Sequence, residues 1–387
     1  MSPDTGAFRL PRIFQYAGLV IAGASAFSMS TLFSAMKPVL LTRFVEQAGF
    51  SESLAGLVVA MPFVGIAAAS MLLKYMFSHL GVRQLSIIFG AVLIIGEFVS
   101  AFYFQNRVIV LLAQLAGGIS VGVLMGATSR VIATTKMPDE IFGFVDMMAV
   151  FLMSFMIAGV GFSVSLFGLQ GGYLFATGIA LLFTMLMLLY REPAETKITE
   201  DHPVAPLRIT VRPIAVIVMG MLFVTSSGLG FAFMFTIAIN LGMDYTSAGS
   251  FIGILLMVSA LACQAGGWCS GRFGPLRPLA GAFITCALGW YIAINATNQW
   301  MFMIALVPAI FSLQFNFPIL LALSGSLDKD GQWAAIATPL LTSGFAWAAI
   351  AAGAIVDQWS VDALAIGTAI GMATCLLLLI PSRPATN

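Results

Sequence analysis

Long apolar runs fill most of this chain, and one long polar stretch divides them into two groups. Residues 191–212 contain four basic residues, four acidic residues and three prolines. Backbone of this composition cannot lie in hydrocarbon, and its prolines cannot continue a helix. We therefore predict a water-exposed cytoplasmic linker at 191–212, between membrane-embedded domains at 1–190 and 213–387.

The apolar runs have the length of membrane-spanning helices. A helix that crosses about 30 Å of hydrocarbon needs about 20 residues, and twelve runs satisfy this rule, six on each side of the linker. The pattern thus predicts an all-α polytopic membrane protein. The predicted spans are 14–41, 53–76, 84–104, 108–134, 141–167, 172–190, 213–239, 248–269, 278–296, 300–323, 333–356 and 362–380.

Composition supports this fold class and excludes several kinds of partner. Charged residues make up 9% of the chain and hydrophobic residues 60%, and the mean hydropathy is +1.02. A soluble protein has about 25% charged residues. The net charge of +1 attracts no nucleic acid, so we expect a lipid bilayer and no nucleic-acid partner. The cysteines lie in apolar runs without metal-ligand spacing, so we predict small buried hydrophobes, no metal and no cofactor: Cys263, Cys269, Cys286 and Cys375.

The distribution of basic residues predicts the orientation in the membrane. No small-residue cleavage site follows the first apolar run, so we expect that run to be a retained span. If both termini are cytoplasmic, all but three of the 17 Lys and Arg residues lie on the inner side, the exceptions being Lys37, Arg43 and Arg107. We therefore expect a multi-pass monomer in the inner (cytoplasmic) membrane of the cell, with both termini inside.

The two groups of spans also repeat each other. The Ala-Gly pair that ends at Gly56 recurs 193 residues later at Gly249, and Gly81 recurs at the same distance as Gly274. No gap is needed across the second span and the turn that follows it. Because each half has an even number of spans, a duplication preserves the orientation, so we predict two parallel copies of one bundle.

Glycine and arginine recur at fixed places in the turns and in span four. They are Gly267, Arg272 and Gly274 after span eight, Gly81 and Arg83 after span two, the segment Gly118 to Gly122 in span four, Pro138 to Gly143 before span five, and Gly171 to Tyr173 at span six. This pattern resembles the major facilitator superfamily, whose turn between spans two and three reads Gly-x-x-x-Asp-Arg-x-Gly-Arg/Lys. The second copy keeps both glycines and the arginine without the acid, and Gln114 stands where many members have arginine.

The resemblance covers nearly the whole chain and implies a fold and a mode of action. The fold would be twelve helices in two pseudo-symmetric six-helix bundles. The activity would be transport by alternating access, with spans one, four, seven and ten around a central cavity. Two bundles joined by one flexible linker can rock about a site near the membrane midplane, which agrees with this expectation.

Lys37 is the most informative polar residue within a span. An ionised lysine at a helix centre costs roughly 2.5–3.5 kcal/mol on insertion scales, so it needs a wet cavity or a partner. Phe33 and Ser30 precede Lys37 at helical spacing and add an aromatic ring and a hydroxyl to the same face. This face suits the anionic group of a substrate. The alternatives are a lysine that reaches the outer interface and a salt bridge from Lys37 to Glu97.

Two acidic residues and one arginine complete the charged candidates of the first half. Glu97 and Asp146 lie within spans, where desolvation would favour the protonated form and allow either to carry a proton. The resembled fold places span three at the periphery, so a structural or lipid-side role is the alternative for Glu97. Arg130 either pairs with Asp146 at the inner mouth or binds an anionic substrate in the inward-open state.

The remaining candidates for substrate binding are neutral. Gln114 on span four shares a face with the glycines of that span, and Gln314 and Asn316 lie on span ten. These two are about 200° apart on a helix, so one of them at most faces the cavity directly. Phe231 and Phe235, one turn apart on span seven, would pack on an apolar substrate body. Interhelical hydrogen bonding and plain core packing are the alternatives.

An enzyme is disfavoured, although Ser120 lies in a Gly-x-Ser-x-Gly sequence. That motif requires a strand-to-helix elbow and a base. Here it lies inside an apolar helix, and the two histidines, His79 and His202, fall in predicted cytoplasmic segments. No Gly-Lys-Ser/Thr phosphate-binding motif is present, so ATP-driven transport within this chain has no support either.

The sequence thus predicts a secondary active transporter for a small amphipathic organic solute. We expect an organic anion as substrate, because the first half carries cations within its spans and the second half has none at mid-depth. We also expect proton-coupled uptake. The alternatives are a proton-coupled exporter of hydrophobic drugs or metabolites and a non-transporting membrane sensor.

Overall fold

The computed structural model describes residues 16–76, 80–190 and 209–382 of the chain, and every regular element in these residues is a helix. The linker lies outside the described residues from 191 to 208, so its boundaries and the two domains it separates stay predictions. The helices are α1 (Ala17–Ala48), α2 (Glu52–Met76), α3 (Val82–Tyr103), α4 (Arg107–Ala133), α5 (138–167), α6 (169–188), α7 (Val211–Asn240), α8 (Tyr245–Phe273), α9 (Leu276–Ile294), α10 (Gln299–Gly325), α11 (Gln332–Gln358) and α12 (Ala363–Leu378).

Helices α5 and α6 form one 51-residue helical stretch, Pro138–Leu188, that is broken at Gly168. At about 1.5 Å per residue this stretch is longer than twice the hydrocarbon thickness, so it supplies two spans. Gly168 has φ 62° and ψ −151°, a conformation open to glycine alone. The Gln47 side chain at the end of α1 accepts a hydrogen bond from the Leu169 N–H at 2.9 Å, which caps the start of α6.

The predicted twelve-span organisation is confirmed. Ten helical stretches of the described chain are long and apolar enough to cross a membrane, with Pro138–Leu188 counted once, and Ala363–Leu378 is a shorter apolar helix. The largest difference is at the end of span one, predicted at 41, because α1 continues to Ala48. It ends at Gly49, whose left-handed backbone and the stacked rings of Phe44 and Phe50 close the helix.

Polar residues begin the helices that follow the predicted turns. Asn106 accepts hydrogen bonds from two N–H groups of α4, Asp244 from the Ser247 N–H and Asn298 from the Met301 N–H. Asp328 accepts from two N–H groups at the start of α11. Each cap satisfies backbone donors that the first turn leaves unpaired.

Glycines of α4 allow it to lie directly against α2. A Cβ atom at Gly118 would collide with the carbonyl oxygen of Pro62, and one at Gly122 would lie 2.6 Å from Ala69 Cβ. At Gly126 the neighbours are Leu73 and the Ala335 backbone of α11. Gly118, Gly122 and Gly126 therefore form the surface along which α4 packs.

Replacement of Gly118 by valine is expected to separate α4 from α2. The branched side chain would meet backbone atoms that cannot move aside, and such overpacking costs about 1–3 kcal/mol. The measurement is the midpoint of thermal unfolding in detergent. Gly178→Val on α6 is the matched control, because nothing lies within 4 Å of its Cβ position. Equal midpoints for the two variants would contradict this packing.

The two six-helix halves meet through α2, α4 and α5 of the first half and α8, α10 and α11 of the second. At the turns α4–α5 and α10–α11 the contacts are tight: Arg130 Nε donates to the Asp330 carbonyl at 2.9 Å, and Thr338 Oγ1 donates to Ser129 Oγ at 2.8 Å. We call this region the closed end.

Helices α5 and α8 separate with distance from the closed end. Gly143 on α5 would place a Cβ 2.9 Å from the Cys263 carbonyl, and Gly267 on α8 packs on the Asp139 backbone. Gly161 lies five turns further along the same face of α5, and nothing lies within 4 Å of its Cβ position. The same is true of Gly253 on α8. In the described residues, α5 and α8 are thus in close contact near Gly143 and Gly267 but not at Gly161 or Gly253.

Candidate functional site

Arg130 lies between the halves at the closed end, with 3% of its surface exposed. Besides its hydrogen bond to the Asp330 carbonyl, its backbone packs on Gly331, which has φ 66°. The carboxylate of Asp328 caps α11 in the same turn. Arg130 therefore contacts the second half in the closed arrangement. Its pairing with Asp146 and its binding of a substrate in the inward-open state both stay predictions.

Asp146 lies one helical turn before Val150, on the face of α5 that contacts α8, and it is 5% exposed. The Cys263 thiol of α8 lies next to its carboxyl group. Its Oδ2 atom is buried and has no hydrogen-bond partner among the described residues. Sequence reasoning anticipated Arg130 as the neighbour of Asp146 and missed Cys263, since nothing in the sequence sets the register of α8 on α5.

Glu97 is fully buried inside the first half, between α3 and α4. Gln114 donates through Nε2 to Glu97 Oε1 at 3.3 Å and to Ser100 Oγ at 3.1 Å. A Cβ at Gly117 would lie 3.4 Å from Glu97 Oε1 and 3.6 Å from the Phe33 ring. The lipid-side role considered for Glu97 is therefore wrong: the carboxyl points into the bundle because α3 turns this face towards α4.

The Glu97 carboxyl has the features of a proton site. Its Oε2 atom is buried and has no hydrogen-bond partner in the described part of the chain. An ionised carboxylate buried without a cation costs several kcal/mol, whereas a neutral acid does not. Tyr173 on α6 interacts electrostatically with Glu97 and is itself 1% exposed.

Ser30 and Phe33 are buried on α1, at 3% and 4% exposure. Lys37 lies one turn beyond Phe33 in the same helix, but its side chain is outside the described residues. The helix nevertheless places Lys37 beyond the ring that adjoins Gly117 and Glu97. Its predicted contact with an anion and its alternative pairing with Glu97 both stay predictions.

The second half contributes aromatic rings and two amides. Phe231 packs edge-on against Phe345 of α11, with centroids 6.4 Å apart, and Phe235 is 40% exposed. Gln314 is partly exposed, whereas Asn316 is fully buried and neither of its amide atoms has a hydrogen-bond partner among the described residues. The two amides thus have different surroundings, as their angular separation on the helix predicts.

The predicted candidates therefore fall into separate groups. The structure brings Phe33, Glu97 and Gln114 together inside the first half, and places Asp146 and Arg130 at the contact between halves. Ser120 lies within α4 and donates to the Ala116 carbonyl at 2.8 Å. In residues 16–76, 80–190 and 209–382, no three His, Cys, Asp or Glu side chains are placed to hold a metal ion.

The comparisons with known proteins identify the class of membrane protein to which these two helical halves belong. The family model of the Major Facilitator Superfamily matches residues 19–337. The chain belongs to this family and is a multi-pass membrane protein. A search of curated protein sequences gave no match.

Solved structures of transporters share the whole fold. The E. coli fucose:proton symporter FucP is 18% identical, with a TM-score of 0.71 over 96% of this chain and 99% of FucP. The proton:xylose symporter XylE is 14% identical, with a TM-score of 0.73 over 96% of each chain. The human organic anion transporter MFSD10 is 16% identical, with a TM-score of 0.70 over 97% of this chain and all of MFSD10. At these identities the likeness establishes the fold.

Proposed function

We propose that this protein is a secondary active transporter that takes up a small amphipathic organic anion together with protons. The observation that carries the proposal is the contact between the two halves at the closed end, made by hydrogen bonds and small-residue packing. Such a contact can break while each bundle stays intact. Rocking of the halves would then expose a central site first to one side of the membrane and then to the other.

The charge distribution supports an anion as the substrate. Lys37 lies within α1, one turn from the buried Phe33, and a cation at this depth needs a counter-charge or water. The second half offers amides and aromatic rings, with Gln314 partly exposed and Phe231 against Phe345. A carboxylate that meets Lys37, with an apolar body against the phenylalanines, fits both surfaces.

Proton coupling rests on the buried carboxyl groups. Glu97 and Asp146 each keep an oxygen without a hydrogen-bond partner among the described residues. Each carboxyl can be buried cheaply only when it is neutral, so a change in exposure would release or bind a proton. By their names, FucP and XylE are proton symporters and MFSD10 is an organic anion transporter. The proposal places this protein in the same classes of transporter.

The proposed function is tested by counterflow in proteoliposomes. Liposomes preloaded with candidate organic acids are diluted into labelled acid, and a panel of cationic dyes is measured in parallel. We expect exchange of one class of acids and accumulation when the outside is made acidic. Exchange of cationic dyes without any acid would contradict the proposal.

An exporter of hydrophobic compounds is the second candidate, and the aromatic second half favours it. Phe235 is 40% exposed, and a Cβ at Gly249 of α8 would lie 3.9 Å from its ring, so an apolar compound could pack between α7 and α8. In that function Glu97 or Asp146 would carry the exchanged proton. The dye panel in the counterflow experiment separates this function from anion uptake. A sensor that transports nothing would produce no solute-driven proton flux.

We also propose that the protein acts as a monomer in the cytoplasmic membrane with both termini and the linker inside. Cysteines introduced at Pro203 and Lys329 are then expected to react with an impermeant maleimide from the cytoplasmic side, and one at Arg107 from the opposite side. The measurement is labelling of intact cells against inverted vesicles. Labelling of positions 203 and 329 from opposite sides would overturn both the orientation and the two-bundle organisation.

A further inference from the structure

Helices α5 and α8 form a closely packed contact between the halves, and a carboxyl group lies inside it. The residues Asp139, Gly143, Asp146 and Val150 share one face of α5 at intervals of three or four residues. The facing residues on α8 are Ala260, Cys263, Gly267 and Ser270.

At every position along this contact except one, the side chains are of the kind expected where two helices pack closely. Ser270 Oγ donates to Asp139 at the rim, the paired glycines bring the backbones together, and Val150 packs on Ala260 and Cys263. Asp146 is the exception. Its position corresponds to about 12 Å from the start of α5, given 1.5 Å per residue.

Among the side chains that the structure describes, none next to Asp146 carries a charge that would hold it ionised. Helices α1, α3, α4, α8 and α10 pack against the α5–α6 segment. The sequence of α10 has no ionisable residue, and α1 has none before Lys37. The other ionisable groups in these helices are Lys37, Arg43 and Glu46 of α1, Arg83, Glu97 and Tyr103 of α3, Arg107 and Arg130 of α4, and Tyr245, Cys263, Cys269 and Arg272 of α8. Of these, Cys263 is the group that lies next to Asp146, on the α8 face that packs against Gly143 and Val150.

A neutral thiol cannot balance a carboxylate, and a polar group without a partner is costly in a dry interface. When the halves are joined, Asp146 is therefore best accommodated as an acid. When α5 and α8 separate, the same carboxyl enters water, where it ionises at neutral pH. Separation of the helices and release of the proton are thus linked, and each must favour the other.

We propose that Asp146 is the proton-binding residue that controls the closed end: its protonation favours contact of α5 with α8, and its ionisation favours their separation. The inference rests on the proposed proton coupling and divides the roles of the two buried acids. The surroundings of Asp146 change when the halves move, because its neighbour Cys263 belongs to the other half. Glu97 accepts its hydrogen bond from Gln114 within its own half, so rocking leaves its surroundings unchanged.

The test measures the distance across the closed end as a function of pH. Spin labels are attached through non-canonical residues at positions 136 and 329, which lie in exposed turns of the two halves, so that the native cysteines remain. Double electron–electron resonance is recorded in nanodiscs without substrate, in acidic and in alkaline buffer. We expect the population with the longer distance to rise about tenfold in alkaline buffer. A change of about tenfold follows when one proton is linked to the separation and the pH rises about one unit beyond the pKa of the group that binds it.

Matched variants decide the assignment. Asp146→Asn keeps the shape of the side chain and cannot ionise, so the short distance is expected at both pH values. Asp146→Ser is measured as well, in case the asparagine variant does not fold. Glu97→Gln, which neutralises the other buried acid, is expected to keep the shift. Loss of the shift in Glu97→Gln, its persistence in both Asp146 variants, or its absence in the unmodified protein would overturn the inference.

The outcome is separate from the identity of the substrate. A pH-dependent distance that vanishes in Asp146→Asn supports the inference even if no organic acid is transported. If acid uptake is driven by protons and remains so in Asp146→Asn, the result supports the proposed function and contradicts the role assigned to Asp146.

Discussion

Replacement of Lys37 by alanine is expected to reduce uptake of the organic anion by about 10- to 100-fold. A hydrogen bond to a charged group contributes about 1.5–3 kcal/mol, and each 1.4 kcal/mol corresponds to about a factor of ten in binding. The measurement is the initial rate of labelled anion uptake in proteoliposomes at low substrate concentration, where the rate reports both binding and transport.

Control variants separate an anion site from the two alternatives for Lys37. Arg107→Ala removes a cation from the start of α4, where it lies over the Phe50 ring, and is expected to leave uptake unchanged. Lys37→Arg should retain most of the uptake if charge is what the site requires. If Lys37 serves only to neutralise Glu97, the double variant Lys37→Ala with Glu97→Gln will recover uptake, as a double-mutant cycle will reveal. Unchanged uptake in both Lys37→Ala and Arg130→Ala would eliminate the anion site.

The helices could be predicted closely from the sequence because each apolar run has the length that a bilayer sets. Where the structure departs from the prediction, a local contact decides the boundary. Residues 42–48 continue α1 because Gly49 and the ring pair of Phe44 and Phe50 end it, not the membrane edge. The sequence predicts the break at Gly168 to within a few residues. The side chain that caps the start of α6 is Gln47, which comes from a distant part of the chain.

The surroundings of the buried charges could not be predicted, because helical periodicity gives the faces of one helix and not its neighbours. Gln114 and Gly118 were expected on one cavity-lining face, yet Gln114 bonds to Glu97 on α3 and Gly118 packs on α2. The proximity of Asp146 to Cys263 likewise depends on which helices of the two halves meet. The side chains of α4 are buried on several faces, so no single face marks a cavity.

Replacement of Gly331 by alanine is expected to open the closed end. A Cβ there would lie 2.5 Å from the Arg130 carbonyl oxygen and 3.1 Å from its Cα. Gly331 also has φ 66° and ψ 17°, a left-handed conformation that costs other residues about 1–2 kcal/mol. Because the clash is with the other half of the molecule, separation of the halves relieves it and leaves each bundle intact.

The opening can be measured as the reactivity of a cysteine at Ser129, a residue that is fully buried against Thr338 when the halves are joined. We expect its rate of modification by maleimide to rise about tenfold in Gly331→Ala, which corresponds to about 1.4 kcal/mol lost from the closed arrangement. Gly49→Ala is the control. Gly49 has nearly the same backbone angles, φ 65° and ψ 27°, and nothing lies within 4 Å of its Cβ position. An equal rise in both variants would mean that backbone strain and general loosening cause the effect, whereas a rise in Gly331→Ala alone assigns it to the contact between Gly331 and Arg130.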